Sequence, residues 1–555
     1  MLRQKVGLKM GNRFLKGAMI LSIGMFATRL LGLLYVIPFQ HMVAETGMAL
    51  YGFAYNIYGV FISLATMGIP VGTAKFIARY NSKGDYATSR RIFRFGVMFM
   101  IILGLLGFAI LYLIAPWWAG RIVSGVDNPY HSAEAITTAI RSVSFALIII
   151  PPMAIFRGFF QGNQDMVPSS VSQFVEQLVR VVFIIAGTFI IINVMGMPTE
   201  RAVYFSVFSA LLAGLASFMV LWYYWIKNRR KFNTLWKNSE PSADTPDMAH
   251  LFWELISYAI PFAVLGLAAN IFFLIDNNTW LLGMERWGAE DYVGMATMGI
   301  FGASLNKLIM IPVSFAIGFG QPLVPELTTH LTTGNRKEMR RVLIQAIQLT
   351  CFITIPAAIG ISLLAHPIYV LLFGRGYEAM NYLGGEIFRT GSTIGLFMAL
   401  YSILTAVLQG IGAQYFGIIL MGISIIIKYA GNVVLMPLLG ANGAIIATNL
   451  AFGFCIVGCL ILIRKRAGLR FRTLIRKLMP IFVFSLLMGV IVWGGRELLN
   501  MVFPFNETSR FQGVVYIGVL GILGIAVYFG LAWYFGVIKS LFGFQPTLKR
   551  LLRRK

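Results

Sequence analysis

Charge is scarce in this chain, and acid is scarcest: 12% of the 555 residues are charged, with 21 Asp and Glu against 46 Lys and Arg. Soluble proteins carry about 25% charged residues, so half that share cannot solvate the exterior of a globule this long. Cysteine is nearly absent. Cys351, Cys455 and Cys459 all lie in apolar runs, which excludes a disulfide framework and reads as small buried hydrophobes. The five histidines, His41, His131, His250, His330 and His366, are scattered over span ends and loops, so no imidazole cluster is available to a metal. There is no Walker A run, no HExxH pair and no GxSxG elbow, and no outer loop of useful length carries paired carboxylates. These absences argue against an enzyme, against ATP as the energy source, and against a cofactor or metal.

What is abundant is apolar sequence, 58% of the chain with a mean hydropathy of +0.77. A helix of about 20 apolar residues crosses a bilayer. Fourteen such runs are read, near 15–40, 49–71, 92–115, 134–156, 170–195, 201–226, 251–276, 294–320, 342–365, 387–410, 414–438, 441–463, 478–497 and 513–538. The expected fold class is therefore an all-α polytopic membrane protein with fourteen transmembrane helices. The net charge of +25 would suggest nucleic acid in a soluble protein, but its distribution points elsewhere. On the fourteen-span reading, all but twelve of the 46 Lys and Arg fall in the N-terminus, the loops after even-numbered spans, and the C-terminus. Arg121, Arg141, Arg201, Arg286, Arg375, Arg389, Arg496 and Arg510 lie on the other side, and Arg29, Arg180, Lys307 and Lys428 lie inside spans. The positive-inside rule then places both termini in the cytoplasm and the basic loops against anionic headgroups, with no nucleic-acid partner. No small-residue cleavage site follows the basic N-terminus before Pro38, so the first run is read as a helix and not a signal peptide.

The chain repeats itself. Gly84, Asp85, Arg90 and Arg91 after the second run match Gly334, Asn335, Arg340 and Arg341 after the eighth, and Asn56 meets Asn306 at the same offset of 250. Gln161 and Gly162 recur as Gln409 and Gly410, and Arg180 as Lys428. An offset of six helices returns the chain to the same side, so the halves are parallel repeats. The expected domains are an N-lobe over 1–226, a cytoplasmic linker over 227–250, a C-lobe over 251–463, and two extra helices with a basic tail over 464–555. The segment from His366 to Arg389 is too short and too rich in glycine to span, and is expected as a short amphipathic helix at the outer interface.

Polar residues inside the spans carry the functional reading. Gln173, Glu176, Gln177 and Arg180 are spaced to share one helical face. An ionised side chain near the bilayer centre costs about 3 to more than 10 kcal/mol, so this face should line a cavity and not meet lipid. Arg29, Arg180, Lys307 and Lys428 against Glu176 and Asp276 leave a surplus of positive charge, which selects an anionic ligand; arginine grips phosphate with its planar fork. An internal ion pair is the competing account of Glu176 with Arg180, and core packing that of Tyr51, Tyr55 and Tyr58.

The runs RGFFQGNQDMVPSSVSQFVEQLVR from Arg157, ATRLLGLLYVIPF from Ala27 and GIPVGTAKFIARY from Gly68 resemble the polysaccharide-exporter branch of the multidrug/oligosaccharidyl-lipid/polysaccharide (MOP) superfamily. They are most similar to the Gram-positive YtgP and SpoVB group, related to the lipid II flippases, and the likeness covers essentially the whole chain. The resemblance implies a V-shaped alternating-access carrier with two six-helix lobes. Such a carrier moves an undecaprenyl-pyrophosphate-linked sugar, here expected to be lipid II, from the inner to the outer leaflet of the bacterial plasma membrane. The substrate-binding set read from the residues is Arg29, Arg180, Lys307, Lys428, Glu176, Gln173 and Asn56; the resemblance places Arg29 at the pyrophosphate, and Tyr35 stands where Gram-negative relatives have a second arginine, whose duty would pass to Arg180 or Lys428. Places similar to a sodium site in some relatives fall on Asp276, Lys428, Asn432 and Thr448; an ammonium at such a place implies a built-in cation and no sodium. The partners expected are the lipid-linked oligosaccharide, membrane lipids and the cell-wall synthesis machinery, with the protein a monomer. The alternatives are a flippase for another lipid-linked polysaccharide unit and an ion-coupled multidrug exporter; the latter should show intramembrane acids outnumbering bases. A polytopic glycosyltransferase and a scaffold for the cell-wall machinery are further alternatives.

Overall fold

The computed structural model describes residues 2–66, 68–124, 132–237, 264–374 and 378–542, with isolated positions between 239 and 261. The described residues form helices and no strand. In chain order these are α1 Leu2–Leu34, α2 Val36–Thr66, α3 Ile69–Ser82, α4 Tyr86–Ser124, α5 Ala133–Ser144, α6 Ala146–Gly162, α7 Val167–Phe189 and α8 Thr199–Lys237. They continue as α9 Ala268–Trp287, α10 Asp291–Gly299, α11 Asn306–Thr332, α12 Arg336–Leu363, α13 Ala365–Phe373, α14 Glu378–Gly410 and α15 Gln414–Leu439. The last are α16 Ala441–Ala467, α17 Phe471–Val502, α18 Arg510–Tyr534 and α19 Val537–Phe542. Short π-helical segments, Ile190–Val194 and Ile300–Leu305, extend α7 and join α10 to α11.

Among the described residues eleven helices, some built from adjoining elements, are long and apolar enough to cross a membrane, and the apolar parts of α1 and α2 are shorter, Met19–Leu34 and Leu50–Ile62. Most of residues 251–263, the start of the expected seventh span, lies outside the described residues. The solvent for these helices can be read from α15. It buries Gln414, Gly417, Met421, Ser424, Lys428, Asn432 and Met436, a stripe spaced three and four apart. On the outside it carries Ile419, Ile426, Val434 and Leu438, each more than half exposed. A helix with polar residues inside and bare aliphatics outside is stable only where the surroundings are apolar.

The chain divides into two compact units. The first is Gly17–Gly266 with Val324–Gly334; the second is Met1–Lys16, Leu267–Leu323 and Asn335–Lys555. In the first unit α1 runs close over α7, because a Cβ at Gly24 would fall 2.1 Å from Ser170 Oγ. That closeness lets Ser170 donate to the Ile20 carbonyl at 2.9 Å. In the second unit α17 packs on α12 and α18 on α13, and Tyr528 of α18 donates to the Phe352 carbonyl of α12 at 2.7 Å.

The internal repeat is visible in the turns. Gly84 and Gly334 both take a positive φ, 82° and 70°, where L side chains are strained. The next residue caps the following helix in each case: Asp85 Oδ1 accepts from Thr88 N at 3.0 Å, and Asn335 Oδ1 from Glu338 N at 3.2 Å. The turns after Gly162 and Gly410 match as well, with Gln164 at φ 58° where Gly412 has φ 73°.

Three local expectations need correction. The helix expected to end at 156 runs on to Gly162, which makes Arg157 part of α6 and not of a cytoplasmic loop. The stretch expected as linker from 227 begins as helix, since α8 continues to Lys237; Phe232 is buried against Phe159 and Phe160, and Arg90 lies over the Trp236 ring at 4.5 Å. The interfacial helix expected over 366–389 is only α13, because the chain turns extended at Gly374 and Glu378–Arg389 form the first turns of α14. The three cysteines are free and buried.

Candidate functional site: two buried ion clusters

In the first unit α7 presents Glu176 and Arg180 four residues apart, and α6 adds Arg157. Arg180 Nη2 donates to Glu176 Oε1 at 2.8 Å, and Arg157 Nη2 to Glu176 Oε2 at 2.7 Å. Arg157 is anchored further: its Nε donates to Ser172 Oγ at 3.0 Å and its Nη2 to Ser217 Oγ of α8 at 2.8 Å. Two guanidiniums therefore share one carboxylate, and the cluster is positive. It retains some access, with side chains 15–19% exposed. Gln173 lies one turn before Glu176, and Gln173 Oε1 and Arg180 Nε are both buried with no hydrogen-bond partner among the described residues. Tyr51 and Tyr55 of α2 stack at 4.5 Å, and Tyr55 and Tyr58 meet edge to face at 5.6 Å. These tyrosines are electrostatic neighbours of Arg180.

Arg29 lies on α1 in the same unit, exposed, with no hydrogen bond to any described residue. Gly32, one turn on, faces Gln177 of α7, whose Nε2 lies 3.3 Å from the place of a Cβ. Asn56 is helical on α2, and its side chain lies outside the described residues.

The second unit holds a different arrangement. Lys428 of α15 is fully buried, and its Nζ donates to Asp276 Oδ1 of α9 at 2.5 Å, Thr448 Oγ1 of α16 at 2.7 Å, Asn432 Oδ1 at 2.9 Å and the Ala444 carbonyl at 3.1 Å. Asn432 Nδ2 in turn donates to Asp276 Oδ1 and to Thr279 Oγ1, both at 2.8 Å. An ammonium has three protons, and here four oxygens surround it, so its hydrogen-bonding capacity is filled. Small residues permit this: a Cβ at Gly431 would come within 2.8 Å of Ala447 Cβ, which brings α15 and α16 together.

The structure thus gathers Glu176 and Arg180 with Gln173 beside them, and separately gathers Asp276, Lys428, Asn432 and Thr448. It does not bring Lys307 into the second set; Lys307 is exposed at the start of α11. Arg157, Ser172, Ser217 and Thr279 were not among the sequence candidates. In the sequence Arg157 is a lone cation just beyond an apolar run, and hydropathy gives no sign there that the helix continues to Gly162. No group of three or more His, Cys, Asp or Glu among the described residues is arranged to hold a metal ion.

The polysaccharide biosynthesis protein family matches residues 14–329, and the family described as lipid II flippase MurJ matches residues 303–509. The lipid II flippase MurJ of Bacillus subtilis (strain 168) is 35% identical over 535 residues, 96% of this chain and 97% of that protein. The chain belongs to the MurJ lipid II flippase family. Stage V sporulation protein B of the same organism is 24% identical over 378 residues, 67% of each chain. Among solved structures, an outward-facing multidrug resistance MATE transporter of the MOP superfamily superposes with a TM-score of 0.65 at 17% identity, over 82% of this chain and 98% of that one. That likeness assigns the MOP fold to this MurJ-family chain. Family and fold make it a multi-pass bacterial membrane protein of a transporter family.

Proposed function

We propose that this protein is a flippase that moves lipid II from the inner to the outer leaflet of the plasma membrane by alternating access. The observation that carries the reading is the full-length kinship with a lipid II flippase at 35% identity. The excess of cation in the Arg157–Glu176–Arg180 cluster supports it, since a pyrophosphate is polyanionic. An exporter of organic cations would need the opposite polarity. On this reading the chain has fourteen spans with both termini cytoplasmic. The N-lobe covers 1–226, the linker 227–250 (helical as far as Lys237), the C-lobe 251–463, and the appended hairpin and tail 464–555. Arg29, exposed and without a hydrogen bond to any described residue, is assigned to the pyrophosphate with Arg180; Gln173 and Asn56 line the same path in the N-lobe, and Lys307 the path in the C-lobe.

Lys428 has a different role in this proposal. Its ammonium occupies the centre of Asp276, Asn432 and Thr448, where some relatives would hold sodium, so the carrier brings its own cation and cycles without sodium. The membrane potential, positive outside, then favours outward movement of the anionic headgroup by about 2.3 kcal/mol per charge per 100 mV.

The deciding experiment measures lipid II exposed at the outer leaflet of cells depleted of their own flippase. Restoration by this protein and failure of a normally expressed Arg29→Ala variant are expected. An expressed parent that does not restore exposure would move the substrate to another lipid-linked glycan. A dependence of the reconstituted rate on sodium would refute the role given to Lys428.

A further inference from the structure

Arg157 and Arg180 share Glu176 but are held very differently. Arg157 has three protein acceptors on two helices, the Glu176 carboxylate and the hydroxyls of Ser172 and Ser217. Among the described residues Arg180 has one, Glu176 Oε1, and its Nε is buried with none. Gln173 Oε1, one helical turn before Glu176, is buried and unmatched as well. Buried guanidinium and amide groups left in this state are set up for a polar ligand. The Glu176 side chain presents one oxygen to each arginine, so it can leave Arg180 without losing Arg157.

We propose that Glu176 is a resident counter-anion: it occupies Arg180 when no ligand is bound, cedes that guanidinium to the phosphate of the ligand, and is kept by Arg157. This rests on the reading above for the identity of the ligand, a polyprenyl pyrophosphate. Three physical points support it. A carboxylate and a phosphate oxygen compete for the same face of a guanidinium, and phosphate accepts its two parallel N–H bonds equally well. The exchange never strands the carboxylate, because Glu176 stays paired with Arg157 while the ligand supplies the negative charge that the resting cluster lacks. The serine hydroxyls hold Arg157 in place throughout, which makes Arg157 a positioning residue and Arg180 the one that takes the anion.

The test is binding of undecaprenyl pyrophosphate to the full chain in lipid nanodiscs, followed by native mass spectrometry, with uncharged undecaprenol as the control lipid. Removing the competitor in Glu176→Gln should tighten pyrophosphate binding about tenfold, and Arg180→Gln should weaken it by about as much. Arg157→Gln leaves the carboxylate wholly to Arg180 and should weaken binding too, although Arg157 need not touch the ligand. The double variant Arg157→Gln with Glu176→Gln should restore affinity to at least the parent level, a rescue that a purely structural role for Arg157 would not give. It also retains a single cation, so it remains informative if Glu176→Gln alone, with two facing guanidiniums, does not fold. Undecaprenol binding should be the same in all variants. Glu176→Gln affinity at or below that of the parent, or a double variant no better than Arg157→Gln, would overturn the exchange. Lipid II exposure in flippase-depleted cells separates the two claims. The predicted affinity pattern without restored exposure removes lipid II as substrate and leaves the exchange standing; restored exposure without the pattern removes the exchange alone.

Discussion

In the first unit two guanidiniums face one carboxylate, and each side chain keeps 15–19% of its surface exposed; in the second one ammonium faces one carboxylate, exposed 0% and 4%. The first cluster carries excess charge and unmatched polar atoms. The second is neutral, and its cation is filled by acceptors from three helices. Equivalent places in a repeat, Arg180 and Lys428, have thus been given unlike electrostatics: one is left able to exchange partners and the other is closed. The proposed flippase has a use for both properties, because a carrier must remake contacts with its load while part of its scaffold stays fixed.

The strongest way to break this comparison is to cut the closed cluster. Lys428→Met leaves Asp276 buried without its cation, and removing one partner of such a pair costs about 3–5 kcal/mol. A marked fall in melting temperature in nanodiscs is expected, and Asp276→Leu in the same background should recover most of it. If the double variant melts as low as the single, the cluster is not a self-contained structural pair and the contrast with Arg180 fails.

Arg29→Ala is the reciprocal case. Arg29 is exposed, and no hydrogen bond ties it to the described residues, so melting should stay within about 0.5 kcal/mol of the parent. Transport should nevertheless fall about tenfold or more, the worth of one charged contact. A variant that melts early, or one that transports normally, would place Arg29 in the scaffold and not in the path.

Much of this was legible beforehand because lipid imposes a simple code. Runs of about 20 apolar residues mark helices, and polar residues interrupting them at helical spacing mark the protected face; Gln173, Glu176 and Arg180 were found that way. Partners contributed by other helices left no such trace. Asp276 sits 152 residues before Lys428, and only kinship to a family associated them before the fold did. Arg157 was lost because hydropathy locates the end of an apolar run and not the end of a helix, and α6 continues for six residues past the expected boundary.

The repeat itself offers a smaller test. Gly84→Ala and Gly334→Ala each force a side chain into positive φ, and a Cβ at Gly334 would meet no neighbour within 4 Å. The penalty is then conformational, about 1 kcal/mol for each. Equal losses would show that the two halves use the turn alike even though their ion clusters differ. A much larger loss at Gly84 would show that its turn has acquired a second duty.

The smallest effect is expected at a third ion cluster, at the end of α12 away from the basic turn, where α13, α14 and the α17–α18 connection meet. His366 Nδ1 lies 2.7 Å from Glu507 Oε1 and Nε2 lies 3.1 Å from Glu386 Oε1, while Arg389 bridges back to Glu386 at 3.1 Å. Arg496, Tyr382 and Tyr516 line the same polar cavity of about 160 Å³. A neutral imidazole donates from one nitrogen only, so both contacts are satisfied together only by the protonated ring. Burial pushes the His366 pKa down, but the hydrogen bonds and charges of Glu507, then Glu386, outweigh it and leave the pKa above its ordinary value of 6.5. A folded-state pKa raised in this way gives stability that is complete below about 6.5 and is lost as pH rises through the higher, folded value. Melting followed from about pH 6 to about pH 9 should therefore decline on the alkaline side, and His366→Gln should flatten that part of the profile by about 1 kcal/mol or less. The opposite slope, with the parent gaining stability over the variant as pH rises, would mean that His366 is held neutral, and the bridge between α13 and the C-terminal hairpin would have to be hydrogen-bonded without charge.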